Sequence, residues 1–165
     1  MDRERALELL IGGRPTVLRW NRWRLRGETP PSLRRARLRH ADLTDANLAG
    51  VDLEHADLEG ANLFSANLEG ARLVHANLRG ADLQKAVLRS ADLHEARMDR
   101  VCLCGTDLRQ ASLRGASLKG AQADEHSRWP EGYSPLKRGV SIWPGEEPAS
   151  AGGSPLLSRR DRASE

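Results

Sequence analysis

Residues 60–80 read GANLFSANLEGARLVHANLRG. Leucine returns every fifth residue, at Leu63, Leu68, Leu73 and Leu78, with alanine two places before each. Five is the period of neither regular element. An α-helix advances about 100° per residue, so positions five apart differ by about 140° and define no face. A strand alternates sides, so positions five apart point in opposite directions. No straight element buries this set of leucines. The chain must corner at regular intervals, as a coil of short segments does.

The register extends far beyond this stretch. From Leu38 to Leu118 there are seventeen such centres, all Leu except Met98. Two places earlier, from Ala36 to Ala121, fifteen of eighteen positions are Ala; the others are Val51, Val101 and Thr106. Asp or Asn dominates the place just before the leucine, as at Asp42, Asn47, Asp52, Asp57, Asn62 and Asn67. Gly recurs two places after it, as at Gly50, Gly60, Gly70 and Gly80. Internal repetition of this length decides the architecture before local propensity does.

Alternation supplies the physical reading. In an extended segment residues two apart share a side, so Ala and Leu of one unit point inward and the Asp or Asn between them points outward. A Gly or another small residue then bends the chain into the next unit. If every unit sends Ala and Leu inward, the units wrap a common axis, and Ala suits a narrow interior.

These units resemble the pentapeptide-repeat family, whose signature is A(D/N)LXX, over roughly residues 31–123. The resemblance implies an all-β solenoid: a right-handed quadrilateral parallel β-helix with four units, or twenty residues, per turn. At a strand spacing of about 4.8 Å the four and a half turns expected would span about 20 Å. Outer residues twenty apart should then stack. One such column reads Arg39, Glu59, Arg79, Asp99, Lys119, with the sign alternating at every step.

A solenoid leaves unpaired strand edges at its ends and needs caps. Residues 1–30 suit a short helical cap. DRERALELLIGG has Ala6, Leu7, Leu10 and Ile11 at helical spacing before Gly12-Gly13, and TVLRWNRWRLRG, after Pro15, has Val17, Trp20 and Trp23 three apart and stops near Gly27. The WNRWR run resembles a segment that often precedes these repeats. After Ala121 the pattern fails, since Ala123 stands where Leu belongs. Residues 124–143 contain HSRWPEGYSP, similar to a WPEGF-like terminator, and Trp129 and Tyr133 are expected to fold over the last turn. Residues 144–165, rich in Pro, Gly, Ser and charge, are expected to be a disordered tail.

Composition agrees with a core built from Leu and Ala, because aromatic residues make up only 4% and four of them are Trp. The net charge of +3 is unevenly placed: residues 1–35 carry +5, 36–123 carry −1 and 124–165 carry −1. Within the repeats, 36–80 sum to −3 and 81–123 to +2. Two cysteines are too few for a disulfide framework, which fits a reducing compartment. With no apolar run of spanning length, a cytoplasmic protein without a membrane partner is the expectation.

Candidate chemistry is sparse. His55 and His75 stack at twenty, with Glu95 one turn on, and could form a surface metal site; against this, ligands on one flat column diverge and Gly115 ends the column. Cys102 and Cys104 flank Leu103 on the outer side and read either as a reactive pair or as small exposed substitutions in a degenerate unit. Arg22, Arg24, Arg26, Arg34 and Arg35 interleave with Trp20 and Trp23, a nucleic-acid pattern, but the Trp pair is better used to pack the cap. No Ser-His-Asp set or phosphate-binding Gly loop stands out, so neither catalysis, a cofactor nor a bound metal is expected. The leading expectation is a monomeric, non-catalytic interaction or scaffold module with an unidentified protein partner, with Phe64 and Val74 seeding a small outer apolar patch. The alternative, implied by the resemblance, is a DNA-mimicking modulator of DNA gyrase or topoisomerase. That role asks for a strongly acidic rod, which a nearly neutral repeat does not offer.

Overall fold

The computed structural model describes residues 1–144, so the expected tail lies outside them apart from Pro144. The middle of the chain is a coil with twenty residues per turn. Parallel bridges join Asp42 to Asn62, Asn62 to Asp82, and Asp82 to Cys102, and the same step recurs on all four walls. The fold is a right-handed quadrilateral parallel β-helix.

Each unit contributes three rungs, one of them from the corner residue's N–H, as Gly50 to the Glu69 carbonyl at 2.8 Å. The N–H of the Asp/Asn position donates to the alanine carbonyl of the preceding turn, as Asn67 to Ala46 at 2.9 Å. The leucine N–H donates to the next turn, as Leu48 to Asn67 at 2.7 Å. Ala and Leu meanwhile fill the shaft: Leu43 through Leu108 in this register are fully buried, Met98 included. The polar exception, Thr106, is also fully buried and gives its hydroxyl to the Leu83 carbonyl at 2.7 Å. That bond removes the penalty of an orphaned buried hydroxyl.

The corners are β-turns in which the next alanine N–H reaches back to the leucine carbonyl, as Ala46 to Leu43 at 2.9 Å. Their third residue, just before the alanine, has positive φ at every corner from Arg35 to Gly120. Small size is not the requirement. His40, His55, His75, Lys85, Glu95 and Arg100 take this place with φ of 54–59°. The left-handed region costs a non-glycine residue about 1–2 kcal/mol, and the turn and ladder bonds on either side hold it there. Where Asp or Asn precedes the leucine, it helps fix the corner that follows. Its side chain accepts the N–H two residues on, as Asn67 from Glu69 at 3.0 Å and Asp82 from Gln84 at 3.0 Å. This local Asx bond explains why that column favours Asp and Asn.

Helix α1 spans Arg3–Ile11 and is capped by Asp2, whose carboxylate accepts the Arg5 N–H at 2.8 Å. Helix α2 spans Arg14–Arg24 and starts earlier than the TVLRWNRWRLRG run suggests. Pro15 belongs to its first turn, where a fixed φ and a missing N–H cost nothing. The two helices bury Leu9, Leu10, Val17, Trp20 and Trp23 against each other and the coil.

At the other end the ladder runs past Ala121, where the leucine pattern stops. Strand β1 (Gln122–Asp124) continues the wall of Cys102, and Asp107 pairs with Arg128, a step one residue longer than twenty. Ala123 takes the leucine place and is fully buried. Strand β2 (Ser141–Trp143) then lies parallel to β1, with Ala123 opposite Ile142. Trp129 and Tyr133 stack at 5.4 Å between ring centroids and pack against the core. Among the described residues, no helix is long and apolar enough to cross a membrane.

Candidate functional site

A closed shaft moves all candidate chemistry to the outside. The side chains there are sorted by the twenty-residue step, and so is charge. The wall through Asp42, Asn62, Asp82, Cys102 and Gln122, with its following corner, holds Asp42, Asp45, Asp82, Asp124 and Glu125 against one base, Lys85. The adjoining wall through Arg37, Asp57, Asn77, Arg97 and Ser117 holds Arg37, Arg39, Arg79, Arg97, Arg100 and Lys119 against Asp57, Glu59 and Asp99. An acidic wall therefore adjoins a basic one.

The alternating column on the basic wall forms one ion pair only. Arg39 meets Glu59 at 2.8 Å and also reaches Asp57 at 3.3 Å. Glu59 takes its next bond from the Asn77 amide at 3.0 Å rather than from Arg79. That amide and then the Arg39 guanidinium hold its carboxyl below the usual range, against partial desolvation. Asp99 accepts from the Ser117 hydroxyl and the Lys119 N–H. Short polar neighbours outcompete the long side chains a turn away, whose ordering costs entropy.

A stronger ionic cluster, not anticipated from the alternating column, stands on the wall of Asp52 and Arg72. Glu54 is held by the Arg34 guanidinium and by Arg72 at 3.2 Å. Beside it, His55 and His75 stack at 4.9 Å and 16°. His75 Nδ1 lies 3.3 Å from Glu95, and His94 Nε2 lies 3.5 Å from the other oxygen of that carboxylate. Stacked imidazoles keep their nitrogens side by side rather than aimed at one point. Among the described residues no three His, Cys, Asp or Glu side chains converge as metal ligands.

Phe64 and Val74 fall on different walls and are both half-buried. The Lys85 ammonium sits 5.4 Å from the Phe64 ring centroid, so the pair does not make one apolar patch. Among the described residues the large exposed apolar side chains lie at the ends: Met1, Ile11, Leu18 and Leu25 at the N-terminal side, the last two beside an open groove lined by Asn21, Arg22 and Asn47, and Leu136, Ile142 and Trp143 at the C-terminal side. Trp20 is 0% and Trp23 7% exposed, leaving no ring face on which a base could stack.

The cysteines differ from expectation in one respect. Cys102 is 6% exposed and so is not an exposed substitution; it fills a ladder position between Asp82 and Gln122. Its sulfur lies 3.8 Å from that of Cys104, and both thiols are free. Hydrogen bonding within the pair lowers the Cys102 thiol and raises that of Cys104.

The sequence names Trp20 for packing the cap and Arg24 as part of a basic run, but it points neither to Asn21 nor to the hydrogen bonds by which these three close the N-terminal edge of the ladder. The Asn47 N–H, which has no preceding turn to pair with, donates to the Asn21 side-chain oxygen at 2.8 Å. The Asn21 amide donates to the Asp45 carbonyl at 2.8 Å, and the Trp20 indole N–H to the Asn47 carbonyl at 2.9 Å. The Arg24 guanidinium takes the Ala49 carbonyl. The signal lay in the polar letters of WNRWR, which read more readily as surface.

The family signature described as pentapeptide repeats matches in eight copies over residues 32–70, 71–110 and 100–125. A pentapeptide repeat protein of solved structure from Nostoc PCC 7120, alr5209, is 37% identical, over 79% of this chain and 96% of that one, with a TM-score of 0.42. HetL, a pentapeptide repeat protein involved in heterocyst differentiation regulation from Nostoc sp. strain PCC 7120, is 32% identical over 68% of this chain and 60% of its own, with a TM-score of 0.29. QnrB1, a plasmid-mediated fluoroquinolone resistance protein, is 14% identical over 71% of this chain and 70% of its own, with a TM-score of 0.39. No curated protein sequence matches.

Proposed function

This chain belongs to the pentapeptide-repeat family, and from that premise we propose that it is a non-catalytic interaction module that binds a protein partner through its charged outer walls. The observation that carries this reading is the sorting of charge by wall, acidic on the Asp42–Asp82 side and basic on the Arg79–Arg97 side. Flat, rigid walls of opposite sign are suited to steer and orient a partner of complementary charge. The shaft supports the same reading, since its Leu and Ala are packed to exclusion of solvent and give a substrate no room.

Affinity capture of the tagged protein from extract of its native cell tests this, with one variant per wall. Asp42→Arg with Asp82→Arg reverses the acidic wall, and Arg79→Glu with Arg97→Glu reverses the basic one. Arg already stands at the Asp column in Arg37, Arg72 and Arg97, so the first pair fits the ladder. Loss of the captured protein with one wall only, together with weakening by salt, is the expected result. An identical captured set from both variants and the wild type would remove the proposal.

An acidic wall also suits a mimic of duplex DNA, the second reading. It ranks lower because the adjoining wall is basic. A gyrase supercoiling assay with and without a quinolone separates the two. Inhibition or protection that disappears on reversing the acidic wall would move the mimic to first place.

A further inference from the structure

Cys102 and Cys104 sit on the acidic wall with their sulfurs 3.8 Å apart. The main chain beneath them is fixed. The Cys102 N–H donates to the Ala81 carbonyl at 3.0 Å, the Leu83 N–H to the Cys102 carbonyl at 2.9 Å, and the Leu103 N–H to the Gln122 carbonyl at 2.7 Å. A direct disulfide would have to shorten the gap to about 2.05 Å by side-chain rotation alone, because the ladder on both sides holds the main chain in place. A bridging atom does not meet that obstacle. Two bonds to sulfur of about 2.3 Å, the length zinc makes, span about 3.8 Å at a tetrahedral angle.

The surroundings limit what the bridging atom can be. Asp82 accepts the N–H and the side-chain amide of Gln84, at 3.0 and 3.2 Å. Asp124 accepts from the Gly105 N–H at 2.8 Å, the Ser127 hydroxyl at 2.8 Å and the His126 N–H at 3.1 Å. Both neighbouring carboxylates are thus engaged in holding the turn, and no third ligand converges among the described residues. A cation that asks for three or four protein donors is poorly served, whereas a centre satisfied by two sulfurs is well served.

We propose that Cys102 and Cys104 form a two-thiol chelating site for a soft, thiophilic metalloid centre of the trivalent organoarsenical class. With phenylarsine oxide the step is a condensation. Two arsenic–sulfur bonds form, the arsenic–oxygen bond breaks, and both thiol protons leave with the oxygen as water. Arsenic stays trivalent, so no oxidant or reductant enters. Cys102 makes the first attack, since its hydrogen bond with Cys104 makes it the readier thiolate of the two.

The test is intact-mass spectrometry of the reduced, folded full-length chain with equimolar phenylarsine oxide. One adduct per chain is expected, stable to excess monothiol and removed by a small dithiol. Cys102→Ser and Cys104→Ser should each lose it. Ser112 and Ser117 occupy the same ladder place as Cys102, so Cys102→Ser should fold, and thermal melts of both variants check this. Absence of an adduct on the folded wild type, an adduct formed only in denaturant, or one that persists in either single variant overturns the site. A product two mass units lighter than the wild type, with no arsenic, would show that the pair closes as a disulfide and overturn it equally.

Discussion

At the N-terminal edge of the coil, Asn47 and Ala49 find their missing ladder partners in the side chains of Trp20, Asn21 and Arg24. At the C-terminal edge, Ala121 finds its partner in main chain, the Ser141 N–H at 2.9 Å, and Gly120 donates to the Gly139 carbonyl at 3.1 Å. Both edges face the same difficulty, unpaired N–H and C=O groups at the end of a ladder. The first solution uses side-chain chemistry, and the second lays down another strand. Side-chain closure needs specific residues at specific places. Main-chain closure needs only an extended segment of the right length. The N-terminal edge should therefore be sensitive to single substitutions, and the C-terminal edge tolerant of them wherever main chain closes it, Asp124 being its side-chain exception.

The largest effect that would expose this difference is Trp20→Ala. It empties a fully buried indole site and orphans the Asn47 carbonyl. A loss of about 3–5 kcal/mol is expected, read from denaturant unfolding. A loss below about 1 kcal/mol would mean that the helices decorate the coil rather than close it. Next is Asn21→Ala, which frees both the Asn47 N–H and the Asp45 carbonyl. The expected cost is about 1–3 kcal/mol. Asn21→Leu keeps the volume without the polar atoms and should do no better than alanine. If it restores stability, packing rather than hydrogen bonding closes the edge.

How far the sequence discloses all this depends on the kind of information involved. The shaft was legible because Leu38 through Leu118 repeat one instruction, and repetition overrides every local ambiguity. The corners were only half legible. Gly60 and Gly70 advertise positive φ, but His75 and Glu95 adopt it with no letter to announce it, because the constraint comes from the ladder above and below. The sorting of charge by wall was hidden for a different reason. Sums along the chain mix four walls, and only sampling at twenty separates Asp42 and Asp82 from Arg79 and Arg97. The edge set Trp20, Asn21 and Arg24 was least visible, since it acts on backbone atoms, which no side-chain pattern records. The cysteine pair is plain in the sequence, but the burial of Cys102 follows from a ladder position that sequence spacing alone leaves on the outside.

The C-terminal side of the comparison can be sharpened by a pair of substitutions with smaller effects. Ile142→Ala trims a side chain that is 38% exposed and leaves every β2 bond in place. A change within about 0.5 kcal/mol is expected. Ser141→Pro keeps a small residue but removes the N–H given to Ala121. About 1 kcal/mol should be lost. If Ile142→Ala proves the more damaging of the two, the strand is held by its side chain and the contrast between the ends collapses.

The smallest expected effect is a response to acid that only one end should show. Burial works against ionisation of Asp124, but the N–H of Gly105, the hydroxyl of Ser127 and the N–H of His126 outweigh it, so its carboxyl titrates below the usual range. A carboxyl lowered in the folded state stabilises that state at pH values above its unfolded pKa, and the contribution fades as pH falls through the lowered folded value. Protonation removes the acceptor that holds Gly105, whereas the amide of Asn21 and the indole of Trp20 carry no group that titrates there. Amide exchange should therefore show protection at Gly105 falling relative to Asn47 as the solution is acidified from neutrality, once intrinsic rates are divided out. Asp124→Asn, which cannot ionise, should flatten that ratio. A ratio that stays constant in the wild type would mean that the last turn is held by its ladder alone, and that Asp124 contributes nothing to the closure of its end.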